Sequence, residues 1–278
     1  MFNCCEREPR TSNNNSFGEQ GDFHGLFKDT SIRRADVRIC YYERNNINSL
    51  NSKNEIEIKE ITMLENKNKG TNEIAILMAA GMGKRMAPLT EKIPKPLVKV
   101  FGKPMIETII DGLVERGVKH IYVVVGYLKE QFDFLLQKYE NLFLIENTEF
   151  RTINNISSIH AVAPIMGKED CFICEADLYV ADSSIFQAEL KHSCYYGKMV
   201  KGHSDDWVFE QDENGRIIRV GKYGYDNFNM CGIAWFKAKD AKIIADAIVE
   251  AYKYPGTYEN LFWDDIVNQQ IKNVNLIV

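Results

Sequence analysis

From residue 73 onward, short apolar runs alternate with segments in which apolar residues recur at helical spacing. The apolar runs predict buried strands, because the strands of a parallel sheet are covered on both faces. These runs lie at residues 74–79, 121–125, 142–145 and 172–175. The periodic segments predict helices at residues 104–117, 156–165, 238–252 and 261–270. Repeated βα units of this kind predict an α/β fold with a mostly parallel sheet flanked by helices.

Two periodic segments have a predicted inward face. In the first helix the apolar stripe consists of Ile106, Ile109, Ile110, Leu113 and Val114. In the helical segment after residue 125 it consists of Leu128, Phe132, Leu135 and Leu136. Beyond Tyr195 the pattern changes to hairpin-like strands with a turn at residues 212–215, so the predicted sheet is mixed.

Residues 1–72 differ in character from the rest of the chain. Asparagine is frequent there and apolar periodicity is sparse. Such a composition buries too little apolar surface to offset chain entropy, so a largely flexible N-terminal extension is expected. Residues 66–72 form the predicted linker, and residues 73–278 form the predicted folded domain.

Composition narrows the possible partners. The chain has 278 residues and a formal net charge of −5, which argues against a nucleic-acid partner because phosphate backbones are bound by clustered Lys and Arg. No apolar run approaches the roughly 20 residues of a membrane span. The N-terminus lacks the apolar region of a secretory signal, so a cytoplasmic protein is expected. Cys171 and Cys174 have no second Cys pair, which favours buried thiols over a metal site.

The glycine loop after the first strand carries the strongest chemical signal. Gly81 and Gly83 let backbone N–H groups approach phosphate oxygens, and Lys84 and Arg85 add charge where a triphosphate would lie. A P-loop is excluded because its G-x-x-x-x-G-K-[ST] string does not occur. A dinucleotide fingerprint lacks its third glycine, since Met86 stands there. A plain strand-to-loop turn is the alternative.

Lys95 lies between Pro94 and Pro96. Proline disfavours the helical region for the residue before it, so an extended, restrained Lys95 is expected. A restrained lysine suits the binding of a phosphate group. A surface lysine in a proline turn is the alternative.

The run G-M-G-K-R-M-x-P-L-T-x-x-x-P-K-P-L-V-x-V-x-G-K-P-M-I, residues 81–106, resembles the signature of the sugar-nucleotidyltransferase-like superfamily. Later blocks resemble bacterial choline-phosphate cytidylyltransferases, at residues 125–132, 154–158, 175–177, 205–207 and 262–264. The resemblance covers residues 73–278 and implies a Rossmann-like nucleotidyltransferase fold. Members of the superfamily join an NTP to a phosphorylated acceptor and release pyrophosphate.

The resemblance implies a nucleotide-binding set. It consists of Ala79, Ala80, Gly81, Gly83, Lys84, Arg85, Gly126, Asn155 and Ser157. The backbone of residues 79–81 would recognise the base, and the rest of the loop would bind the triphosphate. Asn155 and Ser157 either hydrogen-bond the base or ribose, or Asn155 simply caps the helix that follows.

The implied catalytic set is Arg85, Lys95 and Asp177. Lys95 would hold the acceptor phosphate and the charge that develops on the α-phosphate. Asp177 matches a metal-binding aspartate of the superfamily, and an acid at the carboxyl end of a strand beside phosphates suits Mg²⁺. The alternative is a structural aspartate that caps a helix near Asp182.

The acceptor is expected to meet aromatic and acidic residues, since aromatic faces beside carboxylates suit a quaternary ammonium. The implied acceptor-binding set is Lys95, Asp206, Trp207, Tyr225, Trp263 and Asp264. Tyr223 is a weaker candidate, and Trp235 is assigned to the core. Packing of all these rings in the core is the alternative.

The resemblance implies that CTP and phosphocholine give CDP-choline and pyrophosphate by in-line attack on the α-phosphorus. A sugar 1-phosphate or aminoethylphosphonate is the alternative acceptor, and an acidic hydrogen-bonding pocket would favour the primary ammonium of the latter. A non-catalytic nucleotide-binding module is a further alternative. Related chains continue past the position of Val278 with a second acidic metal ligand. Three alternatives are therefore open: the chain is truncated, another acid such as Glu175 or Asp265 replaces that ligand, or activity is impaired.

Overall fold

A computed structural model describes residues 71–278. The predicted flexible extension and most of the predicted linker therefore lie outside the described residues. Within residues 71–278, no helix has the length and apolar character needed to cross a membrane.

A seven-stranded mixed sheet forms the centre of the described chain, and a two-stranded ribbon lies beside it. In chain order the strands are β1 (Glu73–Met78), β2 (Lys99–Val100), β3 (Lys103–Pro104), β4 (His120–Val125), β5 (Leu142–Glu146), β6 (Asp170–Glu175), β7 (Ser193–Gln211), β8 (Ile217–Phe236) and β9 (Leu276–Ile277). The sheet order is β5-β4-β1-β6-β8-β7-β9, and β2 pairs with β3. β5, β4, β1 and β6 run parallel, whereas β8 is antiparallel to both β6 and β7. The mixed, mostly parallel sheet is the one predicted from the sequence.

Helices cover both faces of the sheet. They are α1 (Met105–Arg116), α2 (Phe134–Lys138), α3 (Ile156–Val162), α4 (Ala238–Ala251) and α5 (Trp263–Gln269). Side chains alternate across a strand, so Ile74 and Ile76 of β1 enter one core with α3, α4 and α5. Ala75 and Leu77 enter the other core with α1 and α2. The predicted α/β architecture is confirmed.

Two predicted core positions are wrong. Val114 is 43% exposed and Leu136 is 48% exposed. In α1 the buried stripe ends at Leu113, because Gly117 adopts φ 82° and closes the helix after one further turn. In the second segment a short 3₁₀ turn, Lys129–Phe132, precedes the five-residue α2. The change from 3₁₀ to α geometry rotates Leu136 away from the core.

Local predictions for the sheet agree with the structure. Asp212 Oδ1 accepts hydrogen bonds of 2.9 Å from the N–H groups of Asn214 and Arg216, which fixes the predicted turn between β7 and β8. Cys171 and Cys174 are buried in β6, and burial raises the pKa of Cys171 to about 12. These cysteines are core residues, as expected.

Candidate active site

The glycine loop and Asp177 leave the sheet at the same edge. The loop follows β1 and Asp177 follows β6, and these strands are parallel neighbours with Met78 paired to Glu175. In open α/β sheets, ligands bind at the carboxyl ends of the strands. Chain topology therefore brings together two motifs that are about a hundred residues apart in the sequence.

The loop folds back toward Lys95. Gly83 adopts φ 61°, and its carbonyl accepts a 2.9 Å hydrogen bond from Thr90 Oγ1. A Cβ atom at Gly83 would lie 3.0 Å from Thr90 Cγ2 and 3.3 Å from Lys95 Cβ. Glycine is therefore required both by the backbone conformation and by the close approach. Lys84 and Arg85 follow in an exposed 3₁₀ turn.

Backbone hydrogen bonds connect the first residues of the loop to β4 and to the segment that follows it. The Ala79 N–H donates to Val124 O at 2.8 Å, and Ala80 O accepts from the Tyr127 N–H at 3.1 Å. A Cβ atom at Gly126 would lie 3.1 Å from Ala80 Cβ and even closer to the ring of Phe150. Recognition of a base by this segment would therefore use its other backbone groups. Gly81 has open space around its Cα, since a Cβ atom there would meet no other atom within 4 Å.

Lys95 and Asp177 form an ion pair of 2.5 Å between Nζ and Oδ2, and each side chain is about one third exposed. The predicted extended conformation of Lys95 is wrong, since it begins a 3₁₀ turn, Lys95–Leu97. Burial of Pro96 and the two hydrogen bonds of this turn outweigh the local preference before proline. The cap near Asp182 is formed by Asp182 itself, which accepts from the Ser184 N–H.

Asn155 and Ser157 are engaged within the protein. Ser157 Oγ donates to Asn154 O and accepts from Asn147 Nδ2, both at 2.8 Å. Asn155 makes no side-chain cap to α3, so the alternative that it caps this helix is wrong. Its Oδ1 instead accepts from the backbone N–H of Trp263 at 3.0 Å. Asn155 thus links the start of α3 to the start of α5.

A small pocket opens beside the end of β6. Its lining includes Met78, Glu175, Tyr195, Met230, Gly232 and Trp263. Gly232 adopts φ 73°, and a Cβ there would lie 3.0 Å from Glu175 Oε2. Burial, together with the negative charge of nearby Asp177, raises the pKa of Glu175. The negative charge of Asp206, which lies on β7, raises the pKa of Glu175 further.

Asp264 is the second buried acid near this pocket, with only 3% of its surface exposed. Tyr195 donates its hydroxyl to Asp264 Oδ1 at 2.9 Å. Burial and the charges of Glu175 and Asp265 raise the pKa of Asp264 to about 8, against the hydrogen bond from Tyr195. Tyr195 was not singled out from the sequence, because it lies in an apolar strand pattern that gives no polar signal.

Asp265 has a different role. Its Oδ2 accepts from the Phe262 N–H at 2.8 Å and thereby caps α5.

Within residues 71–278, no group of three or more His, Cys, Asp or Glu side chains is arranged to hold a metal ion.

The aromatic candidates occupy different environments. Trp207 packs edge to face against Phe262 at 5.5 Å between ring centroids. Trp263 packs against Tyr195 at 5.9 Å and against Phe236 in the core. Tyr225 is 69% exposed on β8, and Tyr223 is exposed on the same strand. Trp235 is buried, as expected, and its Nε1–H donates to Glu73.

Known proteins are similar to this chain in sequence and in fold. Residues 74–206 match the model of the nucleotidyl transferase family. Over 204 residues the chain is 52% identical to the 2-aminoethylphosphonate cytidylyltransferase of Lancefieldella rimae, a match that covers 73% of this chain and 82% of that protein. It is 32% identical over 204 residues to the choline-phosphate cytidylyltransferase of Streptococcus pneumoniae, covering 73% of this chain and 87% of that protein.

Structural similarity agrees with these matches. The solved CTP:phosphocholine cytidylyltransferase from Streptococcus pneumoniae superposes with a TM-score of 0.68 at 31% identity, over 74% of this chain and 88% of that one. The superfamily expected from the glycine-loop signature is confirmed by sequence and by fold. The chain belongs to the nucleotidyl transferase family and is a nucleotidyltransferase.

Proposed function

We propose that this nucleotidyltransferase is a cytidylyltransferase that joins CTP to 2-aminoethylphosphonate, with residues 73–278 as its catalytic domain. The two relatives described above, from Lancefieldella rimae and Streptococcus pneumoniae, are both cytidylyltransferases by name. Identity to the 2-aminoethylphosphonate enzyme is 52%, against 32% to the choline-phosphate enzyme. The acceptor expected from the signature blocks is therefore replaced by the alternative with a primary ammonium.

The observation that carries this proposal is a pair of acids at the carboxyl end of β6, where Glu175 is the one acid that lines an otherwise mostly apolar small pocket. Glu175 lines it, and Asp264 lies buried beside it with its oxygen bonded to Tyr195. A primary ammonium donates up to three hydrogen bonds and would favour the ionised form of carboxyl groups whose burial otherwise disfavours it, whereas a quaternary ammonium donates no hydrogen bond. This chemistry favours aminoethylphosphonate over phosphocholine.

The reaction is an in-line displacement at the α-phosphorus of CTP. A phosphonate oxygen of the acceptor forms the new P–O bond, and the bond from the α-phosphorus to the bridging oxygen breaks with release of pyrophosphate. Two anions have to approach each other, so positioning and charge neutralisation supply most of the catalysis. Lys95 neutralises the acceptor and the α-phosphate, and Arg85 binds the triphosphate.

Asp177 is the residue proposed to hold Mg²⁺. Its carboxylate fits, because Mg²⁺ is usually bound by one or two carboxylates together with substrate phosphates, and Asp177 lies beside the glycine loop at the strand edge. When bound, the ion would neutralise phosphate charge. Glu175 lines the acceptor pocket and is assigned to the ammonium.

The test is pyrophosphate release with Mg²⁺, each of the four NTPs, and either 2-aminoethylphosphonate or phosphocholine. Fast release is expected only with CTP and 2-aminoethylphosphonate. N-acetylated 2-aminoethylphosphonate keeps the phosphonate and lacks the ammonium, so it is the matched control and is expected to react poorly. Higher kcat/KM for phosphocholine, or for a nucleotide other than CTP, would overturn the proposal.

A further inference from the structure

Trp207 and Phe262 form an aromatic corner against which the protein already places a cation of its own. The rings of Trp207 and Phe262 meet nearly perpendicularly, at 73°. Lys222 Nζ lies 5.8 Å from the centroid of Trp207 and 5.5 Å from that of Phe262. Phe262 immediately precedes Trp263, which lines the pocket. The protein thus places its own ammonium against two aromatic faces, and these aromatic residues are chain neighbours of Asp206 and Trp263 of the proposed acceptor-binding set.

The strand register holds Lys222 in this position. Lys222 of β8 pairs directly with Trp207 of β7. Side chains of directly opposed residues in an antiparallel pair lie close together, and register irregularities flank Trp207 on both sides. The contact is therefore built into the hairpin.

An ammonium held against aromatic faces competes with any second cation there. A quaternary ammonium has no hydrogen-bond donor and depends on such faces for recognition. It would have to displace Lys222 or accept a like charge beside it. A primary ammonium held by Glu175 and Asp264 has no need of these rings.

We infer that Lys222 determines acceptor specificity by filling the aromatic corner of Trp207 and Phe262 and so excluding quaternary ammonium acceptors. This inference rests on the proposed acceptor class, and it identifies the residue that rejects the competing one.

The experiment compares wild type with Lys222→Gln and Lys222→Arg. Lys222→Gln is expected to raise the ratio of kcat/KM for phosphocholine to that for 2-aminoethylphosphonate by about five- to tenfold, the size of a cation–π contact together with relief of like-charge repulsion. Lys222→Arg keeps the cation and is expected to keep the wild-type ratio.

Lys237→Gln is the matched control. Lys237 Nζ lies 4.8 Å from the centroid of Trp235 and pairs with Asp170, away from the pocket. Removing this second lysine–tryptophan contact is expected to leave the ratio unchanged. An equal change in the control would show a general effect of losing a positive charge and would overturn the inference.

A second measurement separates this inference from the proposed function. Choline chloride is titrated into each full-length protein by calorimetry, with no turnover required, and Lys222→Gln is expected to bind choline about five- to tenfold more tightly than wild type. If wild type uses neither acceptor, the proposed function fails, while tighter choline binding by Lys222→Gln still supports the role of Lys222. Unchanged choline affinity in Lys222→Gln would overturn that role, as would a wild type that prefers phosphocholine.

Discussion

At the scale of single residues, charge is concentrated at two points of the site. Lys95 and Asp177 face each other at 2.5 Å where the glycine loop meets the edge of the sheet. Glu175 and Asp264 provide acidic groups at the pocket. The first pair is suited to phosphate and metal chemistry, and the second to a cationic acceptor group.

Removal of either partner of the first pair should impair catalysis more than folding. We expect Lys95→Ala and Asp177→Asn each to lower kcat by about 10²–10³-fold, since the first removes the cation proposed to neutralise the reacting phosphates and the second removes the proposed Mg²⁺ ligand. Steady-state pyrophosphate release measures this, with circular dichroism as the check on folding. Lys119→Ala, in the surface pair of Lys119 with Glu169, is the control and should retain full activity. A near-normal rate in either site variant would remove that residue from the catalytic set.

Asp264 should make acceptor binding depend on pH. Burial, with the charges of neighbouring acids, raises its pKa to about 8, so the group is mostly protonated at pH 6.5 and mostly ionised at pH 8.5. An ammonium binds the ionised form more tightly, so the Kd for 2-aminoethylphosphonate should fall as pH rises through this range. Calorimetric titration at several pH values measures the change, and Asp264→Asn should abolish it. A pH-independent Kd in wild type would contradict the assignment.

Ionisation of Asp264 should lower the stability of the folded protein, although it should strengthen binding of the acceptor. The folded-state pKa of Asp264 lies above the unfolded value, so between about pH 4 and pH 8 the folded state binds a proton that the unfolded state does not. The free energy of unfolding should therefore fall as pH rises through that window. Urea titrations of wild type and Asp264→Asn measure the difference, and the variant should show the flatter profile.

At the scale of elements, α5 positions part of the proposed acceptor site. Its first two residues are Trp263 and Asp264, and its start is fixed by two side chains. Asp265 accepts the Phe262 N–H, and Asn155 accepts the Trp263 N–H from across the site. We therefore expect Asn155 to affect acceptor binding through the placement of α5.

Asn155→Ala should raise the acceptor KM several-fold and leave the CTP KM unchanged. The lost helix-terminal hydrogen bond is worth about 1 kcal/mol of stability. Asn155→Asp keeps the accepting oxygen and should restore the wild-type acceptor KM. Steady-state kinetics with each substrate varied in turn measures the acceptor KM and the CTP KM separately. A rise in the CTP KM would instead place Asn155 at the base or ribose.

The sequence predicted those elements whose signal is local. The parallel strands and α1 follow from apolar runs, helical spacing and a terminating glycine, all of which act within a few residues. The turn at 212–215 was predicted for the same reason. Val114 and Leu136 were placed wrongly because a stripe defined by spacing does not show where the neighbouring element stops.

Contacts between residues far apart in the sequence leave no local pattern from which they could be predicted. Tyr195 and Asp264 are 69 residues apart, and Asn155 meets Trp263 across 108 residues. The conformation of Lys95 also depended on tertiary burial of its neighbours. Motif chemistry therefore predicted a phosphate-binding edge, and resemblance supplied Trp263 and Asp264, while the contacts that bring Glu175 and Tyr195 into one pocket with Trp263 appeared only in the folded structure.

At the scale of the whole molecule, one ion pair joins several parts of the described chain. Arg116 of α1 binds Glu73 of β1 through two hydrogen bonds of 2.7 and 2.8 Å. Glu73 also accepts from Trp235 Nε1 of β8 at 2.9 Å, and Arg116 donates to the carbonyl of Ala188 before β7. The side chains are only 11% and 8% exposed, so this pair is a buried link.

Arg116→Met should destabilise the protein strongly, because it leaves the Glu73 carboxylate buried without its cation. A loss of about 3 kcal/mol is typical for such a change, which for a domain of this size corresponds to a fall in Tm of roughly 6–12 °C. Burial alone would raise the pKa of Glu73, but the hydrogen bonds and charge of Arg116 hold it below its usual value. The stabilisation is therefore present above about pH 4.5 and is lost as pH falls, so the difference between wild type and variant should shrink in acid.

Thermal unfolding at neutral pH and near pH 4 tests both parts of this expectation. Lys253→Met, in the exposed pair of Lys253 with Glu250, is the control and should change Tm by little, since solvent screens that pair. An equal, small shift in both variants would mean that burial does not strengthen the Glu73 link. A large shift confined to Arg116→Met would mean that burial strengthens the Glu73–Arg116 pair, which joins α1 to the strand that carries the glycine loop.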